Sequence, residues 1–548
     1  MALSYNWIDL SVFFVYIVVV FCFGIYMSRK EDTAEDFFLA GRRLPWFAVA
    51  LSLFATNISS GSLIGLAGDA FRDGLAVGIL EWGAILGLFI LAYIFLPYYQ
   101  RRRVYTLPEF LEQRYNLAAR SMFAIAMLLY EIVVFLPFVL YGGGVVVEEM
   151  FGVPFLWGLI GIATFVGIYT IVGGLGAVVW TDVIQGILMI VSGVVVTVLG
   201  LVELGGIDAF REKAADKLHV CLSADHERFP FFGTMFGGPF LITVFYWCLN
   251  QTIVQRTLGA RSEWDARMGT MCACLIKLIL PFVIVLPGII MFALDPGFEP
   301  ADKALPELIQ RVVPTGLSGL LIAAILAALM SSADSSLNSW ATIFTHDIYH
   351  RLIDPEASPR RLISVGRIAI ACLLVVVVVR TTFLSGIQSI LQFLLTGAAY
   401  MSGPVVVVFL LGVLWSRATS VAAVVTMLLS PVICYACQNM KDICELFGFA
   451  GYGFSQSSTV YWLPLATCFI SLLMIVVSLL TEPKSPQALK GLIWSWRDTL
   501  TFDSQLFDRR DIETTGESGK RAICLWKDYR LVGAVAMVLM IVTIWWLR

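Results

Sequence analysis

The sequence predicts an all-α polytopic membrane protein with about 14 transmembrane helices, on three observations. The chain of 548 residues is 59% hydrophobic and 14% charged, whereas soluble domains carry about a quarter charged residues. Apolar runs of about 20 residues, the length a helix needs to cross a bilayer, recur along it. Lys and Arg gather in alternate loops.

The runs follow in order. Trp7–Ser28 has no basic leader and no small-residue cleavage site, so it reads as a retained helix. Pro45–Ala70 is interrupted by TNISSGS (Thr56–Ser62), mostly small and polar. Gly74–Tyr99, Ala118–Val147, Pro154–Val172 and Ala177–Glu203 complete a first half, 45–203. Phe231–Asn250 carries a second interruption, FGGPF (Phe236–Phe240), and opens a second half, 231–415. Arg267–Leu294, Gly316–Thr345, Leu362–Val379 and Leu384–Trp415 complete it. Ser420–Cys437, Val460–Leu480 and Leu531–Leu547 are peripheral, with a hydrophilic stretch at 482–530.

The two interruptions lie five spans apart. An odd repeat length inverts the second half, and paired broken helices point to a midplane binding site in a secondary transporter. The other reading is that Gly and Pro merely kink two packed helices. With the N-terminus outside, the inner loops hold roughly 26 of the basic residues, so both termini are expected outside a cell membrane. QRTLGARSEWDAR is one of those inner loops.

Several classes are excluded. There is no Walker A loop (GESGK at Gly516–Lys520 has the wrong spacing), no GxSxG elbow and no HExxH helix, so neither ATP-driven transport nor hydrolysis is expected. The formal net charge of −3 says little about partners, and no nucleic acid is expected among them. The eleven cysteines show no zinc pairing; Cys434 and Cys437 read as packing, with Cys437–Cys444 a conceivable outer pair. His346 and His350, at i, i+4, read as a solvated helix end.

Ionisable groups inside apolar runs need a reason. Lys277, Glu81 and Glu131 form either a structural ion pair between helices or a hydrophilic solute pocket in which the lysine neutralises one glutamate. Phe245, Tyr246 and Trp247 are either an interfacial belt or ring faces for a sugar. Ser331, Ser332, Ser335, Ser336, Asn338 and Ser339, with Asp334, cluster on one helix. Their oxygens, with carbonyls freed at TNISSGS, suit an alkali cation. Asp182 either caps a helix or joins a second cation site.

These residues resemble the sodium:solute symporter family, in particular its sodium–sugar cotransporter branch. The matching stretches run in the family's order from Asp36 to Trp415 and include DFFLAGRRLPWFAVALSLFATNIS, YTLPEFLEQRY, GGLGAVVWTDVIQ, YWCLNQTIVQRTLGAR and SSLNSWATIFTHDIY. The resemblance implies a LeuT-like inverted five-plus-five repeat core with broken helices, preceded by an extra first helix at 7–28, and Na+ as coupling ion. It implies a sodium site at Ala55, Ile58, Ala328, Ser331 and Ser332, and a second cation site at Asp182, Asp334 and Ser335. It implies solute contacts at Asn57, Ser62, Glu81, Glu131, Tyr246, Trp247 and Lys277, for a small polar solute, foremost a sugar. Ser62, Ala84, Thr243 and Leu395 depart from the sugar-pocket pattern, which leaves room for a modified sugar or a polyol.

Overall fold

The computed structural model describes residues 7–28, 33–223, 226, 228–314, 316–384, 390–440, 459–494 and 528–547. Most of the 482–530 stretch and Cys444 lie outside them. Cys434 and Cys437 are buried free thiols, as packing residues would be.

Twelve helical stretches among the described residues are long and apolar enough to cross a membrane. Fourteen spans were expected, and the difference lies at two joints. The helix Phe155–Leu204 runs through the expected loop at 173–176. Fifty residues would extend about 75 Å, far beyond a bilayer core of about 30 Å. Gly174, at φ 50° and ψ −162°, bends the chain there without a loop. The other joint is the 3₁₀ turn Gly74–Gly78, which links the helices Ser60–Asp73 and Ile79–Ile90.

Burial sorts the helices into a centre and a periphery. The apolar window of Leu317–Ile353 is 78% buried, whereas those of the first and last helices are 22% buried. Outer faces such as Val375, Leu472 and Val538 are exposed apolar surface of the kind lipid covers. Where central helices cross, small residues set the approach. A Cβ on Gly288 would lie 2.0 Å from the Ala67 carbonyl oxygen, so Glu263–Leu294 touches the first broken helix backbone to backbone.

Two π turns, Leu91–Phe95 and Glu131–Phe135, each precede a Leu-Pro pair. Pro97 and Pro137 lack an N–H and crowd the carbonyl four residues back, and the wider turn relieves this.

The extra first helix anchors the central serine helix, Leu317–Ile343. Asp9 Oδ1 accepts from Gly316 N at 2.7 Å, Gly319 N at 3.2 Å and Ser318 Oγ at 2.5 Å. That caps the orphan amides of the helix start and sets a carboxylate against its positive end. The opposite end of the serine helix is tied by Arg120 to Asp347 at 2.7 Å and to Glu112 at 2.6 Å. Arg351 and then Arg120 hold the Glu112 carboxyl below the usual carboxylate range. His346 is not on a solvated face: its ring lies 4.9 Å from Phe38 and 4.6 Å from Tyr105, because the π turn Phe344–Ile353 rotates it inward.

Candidate functional site

The first broken helix ends at Asn57 and restarts at Ser60, with Ile58 (φ −97°, ψ 109°) and Ser59 (φ −95°, ψ 163°) extended between them. Ser59 Oγ caps the restart by accepting from Ser62 N at 3.1 Å. The serine helix faces this gap. Ser331 Oγ lies 2.9 Å from Ala55 O and 3.1 Å from Ala328 O. Ser332 Oγ lies 3.0 Å from Thr56 O, 3.3 Å from Ile58 O and 3.1 Å from Ala328 O. The structure therefore brings Ala55, Ile58, Ala328, Ser331 and Ser332 together, and adds Thr56. Two hydroxyls own two protons, yet four carbonyl oxygens converge on them. Such an excess of oxygen lone pairs, with no sulfur or nitrogen, is the donor set a hard monovalent cation takes.

The other side of the same break holds the lysine. Lys277 Nζ donates to Asn57 Oδ1 and pairs with Glu81 Oε2. It also lies 5.3 Å from the Trp247 ring centroid, an attractive cation–π placement. Tyr246 stands edge-on to Trp247 at 5.4 Å. Lys277 is 1% exposed and the Glu81 side chain 12%, so the pair is nearly dry yet open on the carboxylate side. Asn57, Glu81, Tyr246, Trp247 and Lys277 thus form one cluster, with polar groups beside ring faces.

Two expected members stand apart. Ser62 Oγ pairs with Ser59 Oγ at 2.9 Å, so its hydroxyl serves the cap of the break. Glu131 does not share the lysine. The π turn sets its carboxylate against Thr252 Oγ1 at 3.1 Å, on the far side of the second break.

That second break is also corrected. Gly237 does interrupt the backbone, after the short helix Phe231–Phe236. Its role is close packing: a Cβ on Gly238 would lie 1.9 Å from the Thr459 carbonyl oxygen. The counterpart of Ile58–Ser59 is Asn250 (φ −98°, ψ 124°), between Gly238–Leu249 and Gln251–Leu258. Asn250 Oδ1 accepts from Thr252 N at 2.9 Å, and this local turn competes with the helix. The sequence signal is the Asn-Gln-Thr after an apolar run, an N-cap pattern inside a span.

Asp182 is fully buried and does not cap a helix end. Its Oδ2 accepts from Ser52 Oγ at 2.5 Å and Thr56 Oγ1 at 3.3 Å, and lies 3.5 Å from Arg256 Nη2. Arg256, 1% exposed, also donates to Ser52 Oγ at 2.7 Å, to Ser335 Oγ and to the Thr252 carbonyl. Thr56 Oγ1 lies 3.1 Å from Ser335 Oγ. Asp334 turns to Tyr169, whose hydroxyl donates at 2.7 Å, and accepts from Ser335 Oγ at 3.1 Å. Arg256, Ser52, Thr56 and Tyr169 are the members that sequence reasoning missed. In this network the guanidinium pairs with Asp182 and reaches Ser335, which donates in turn to Asp334.

The sequence model of the sodium:solute symporter family matches residues 37–430. A sodium/glucose cotransporter of Vibrio parahaemolyticus is 36% identical over 451 residues, covering 77% of this chain and 83% of that protein. A sodium/myo-inositol cotransporter of Bos taurus is 30% identical over 565 residues, covering 90% and 76%. Among solved structures, a substrate-bound, outward-open Na+-coupled sialic acid symporter superposes with a TM-score of 0.77 at 25% identity, covering 88% of this chain and 99% of that one. A nucleobase-cation-symport-1 family transporter in a closed conformation shares the fold, with a TM-score of 0.51 at 14% identity. The chain belongs to the sodium:solute symporter family, as a multi-pass membrane protein that couples the movement of a small solute to Na+.

Proposed function

We propose that this symporter carries a small polyhydroxylated solute, a sugar or a related polyol, inward with Na+ by alternating access. The observation that carries the reading is the shared first break. Ala55, Ile58, Ala328, Ser331 and Ser332 meet on one side of it, and Asn57 reaches Lys277 and Glu81 on the other. Sodium among those oxygens holds the broken helix against the serine helix and so fixes Asn57 for the solute. A carboxylate and an ammonium hydrogen-bond the hydroxyls, and Tyr246 and Trp247 cover an apolar ring face. A second cation site at Asp182, Asp334 and Ser335 would share its carboxylates with Arg256, which balances one of their two charges.

The similarity to both glucose and myo-inositol cotransporters supports a ring-shaped polyol as the solute class. The departures at Ser62, Ala84, Thr243 and Leu395 favour a solute other than unmodified glucose. Both termini are read as outside, from the bias of Lys and Arg. One charge moving through 100 mV releases about 2.3 kcal/mol, and a tenfold sodium gradient about 1.4 kcal/mol. Together they support solute accumulation of two to three orders of magnitude per sodium, on the order of what uptake needs.

Uptake by proteoliposomes, tested with a panel of hexoses, modified sugars and cyclitols, checks this. The expected result is accumulation of one of these that requires an inward sodium gradient. Equal uptake with and without sodium would mark a passive facilitator and contradict the reading.

A further inference from the structure

The second break holds a carboxyl group that belongs neither to the oxygens around Ser331 and Ser332 nor to the lysine cluster. Glu131 is 1% exposed. Its Oε1 accepts from Thr252 Oγ1 at 3.1 Å, and Thr252 Oγ1 lies 2.6 Å from Ser339 Oγ. Among the described residues its Oε2 has no hydrogen-bond partner of good geometry, and neither has the hydroxyl of Ser336, which lies beside the same carboxyl. The buried amide nitrogen of Asn250, at the break itself, is unpartnered too.

Among the described residues no cation is paired with this carboxyl. Arg256, one turn beyond Thr252, faces Ser52, Asp182 and Ser335, and Lys277 faces Glu81. The titratable neighbours are Tyr130 on its own helix and Tyr246 on the second broken helix. The serine helix presents only the hydroxyls of Ser336 and Ser339, since Asp334 faces Tyr169. An ionised carboxylate whose only donors are hydroxyls, with no paired cation, is strongly disfavoured when buried inside a membrane-spanning bundle. A protonated Glu131 also meets the needs of its surroundings, because Oε2–H gains an acceptor in the otherwise idle Ser336 Oγ.

We propose that Glu131 is a proton-binding site at the hinge of the second broken helix. Oε2 carries the proton and shares it with Ser336 Oγ while the helices close around them. The proton comes from hydronium in water entering from the inner end and returns to that water when the break opens. The carboxylate, once hydrated, stabilises the opened break. Acidifying the inner solution therefore slows sodium-driven uptake by opposing proton release.

Infrared spectra of the purified full-length protein in lipid nanodiscs test the site directly. At neutral pH the parent is expected to show a protonated-carboxyl C=O band that is missing in Glu131→Gln and shifted in Ser336→Ala. Sodium-dependent protection against heat identifies folded protein. In vesicles, inner acidification is expected to slow the parent several-fold and to leave Glu131→Gln flat. A spectrum unchanged in both folded variants overturns the proposal, as does a Glu131→Gln pH profile that follows the parent. If Glu131→Gln fails to fold, the Ser336→Ala spectrum alone decides. The infrared measurement needs no solute, so it stands or falls apart from the solute reading.

Discussion

Replacing Arg256 with alanine is expected to lower stability by about 3–5 kcal/mol, the usual cost of stranding one partner of a buried ion pair. Sodium-driven uptake should be lost with it. Arg256 joins three elements at once: Ser52 on the first broken helix, Ser335 on the serine helix and Asp182 on Phe155–Leu204. Both members of the pair are essentially unexposed. Without the guanidinium, Asp182 keeps only hydroxyl donors, and a buried carboxylate without its cation is strongly penalised. Lysine should not rescue the site. A compact ammonium cannot span two hydroxyls, a carbonyl and a carboxylate as a planar fork does. Adding Asp182→Asn should recover part of the loss, because it removes the stranded charge. Heat-unfolding midpoints of both single variants and the double variant close the cycle. A single Arg256→Ala protein as stable as the parent would contradict the assignment.

Lys277→Ala should weaken the solute selectively. Hydrogen bonds to charged groups are worth about 1.5–3 kcal/mol, which corresponds to roughly ten- to a hundredfold in solute affinity. Lys277 orders both Asn57 and Glu81, so its loss disperses the polar half of the cluster. The oxygens proposed to hold sodium at the same break do not touch it, so activation by sodium should shift by less than about threefold, or under about 0.7 kcal/mol. Half-saturating solute concentrations measured at saturating sodium check this. Unchanged solute affinity would make the Lys277–Glu81 pair purely structural.

Much of this arrangement is legible in the sequence. A polar break inside an apolar run has few uses other than freeing backbone carbonyls, and a helix carrying six small polar groups in nine residues invites a cation. Ala55, Ile58, Ser331 and Ser332 followed from that logic together with the family resemblance. Lys277 and Glu81 were legible because charge inside a membrane demands a partner.

Other features were hidden for physical reasons. Arg256 sits in a stretch that charge counting assigns to an inner loop, yet it is 1% exposed. Counting basic residues registers their place along the chain, not the direction of the side chain. Arg114, Arg120 and Arg267 were counted in the same way and are buried as well. FGGPF outshone Asn250 as a break because Gly and Pro are louder signals than a single Asn, although those glycines serve a helix crossing. Glu131 parted from Lys277 because a π turn, absent from regular helical periodicity, rotates it toward Thr252.

The central claim is that one broken helix serves sodium on one side and solute on the other. Sodium titration of uptake in Ser332→Ala tests it most directly. Ser332 Oγ reaches Thr56 O, Ile58 O and Ala328 O and has no contact with the lysine cluster. The half-saturating sodium concentration should rise at least tenfold, or about 1.4 kcal/mol. Solute affinity at saturating sodium should stay at the parent value. Equal sodium dependence in variant and parent would contradict the account.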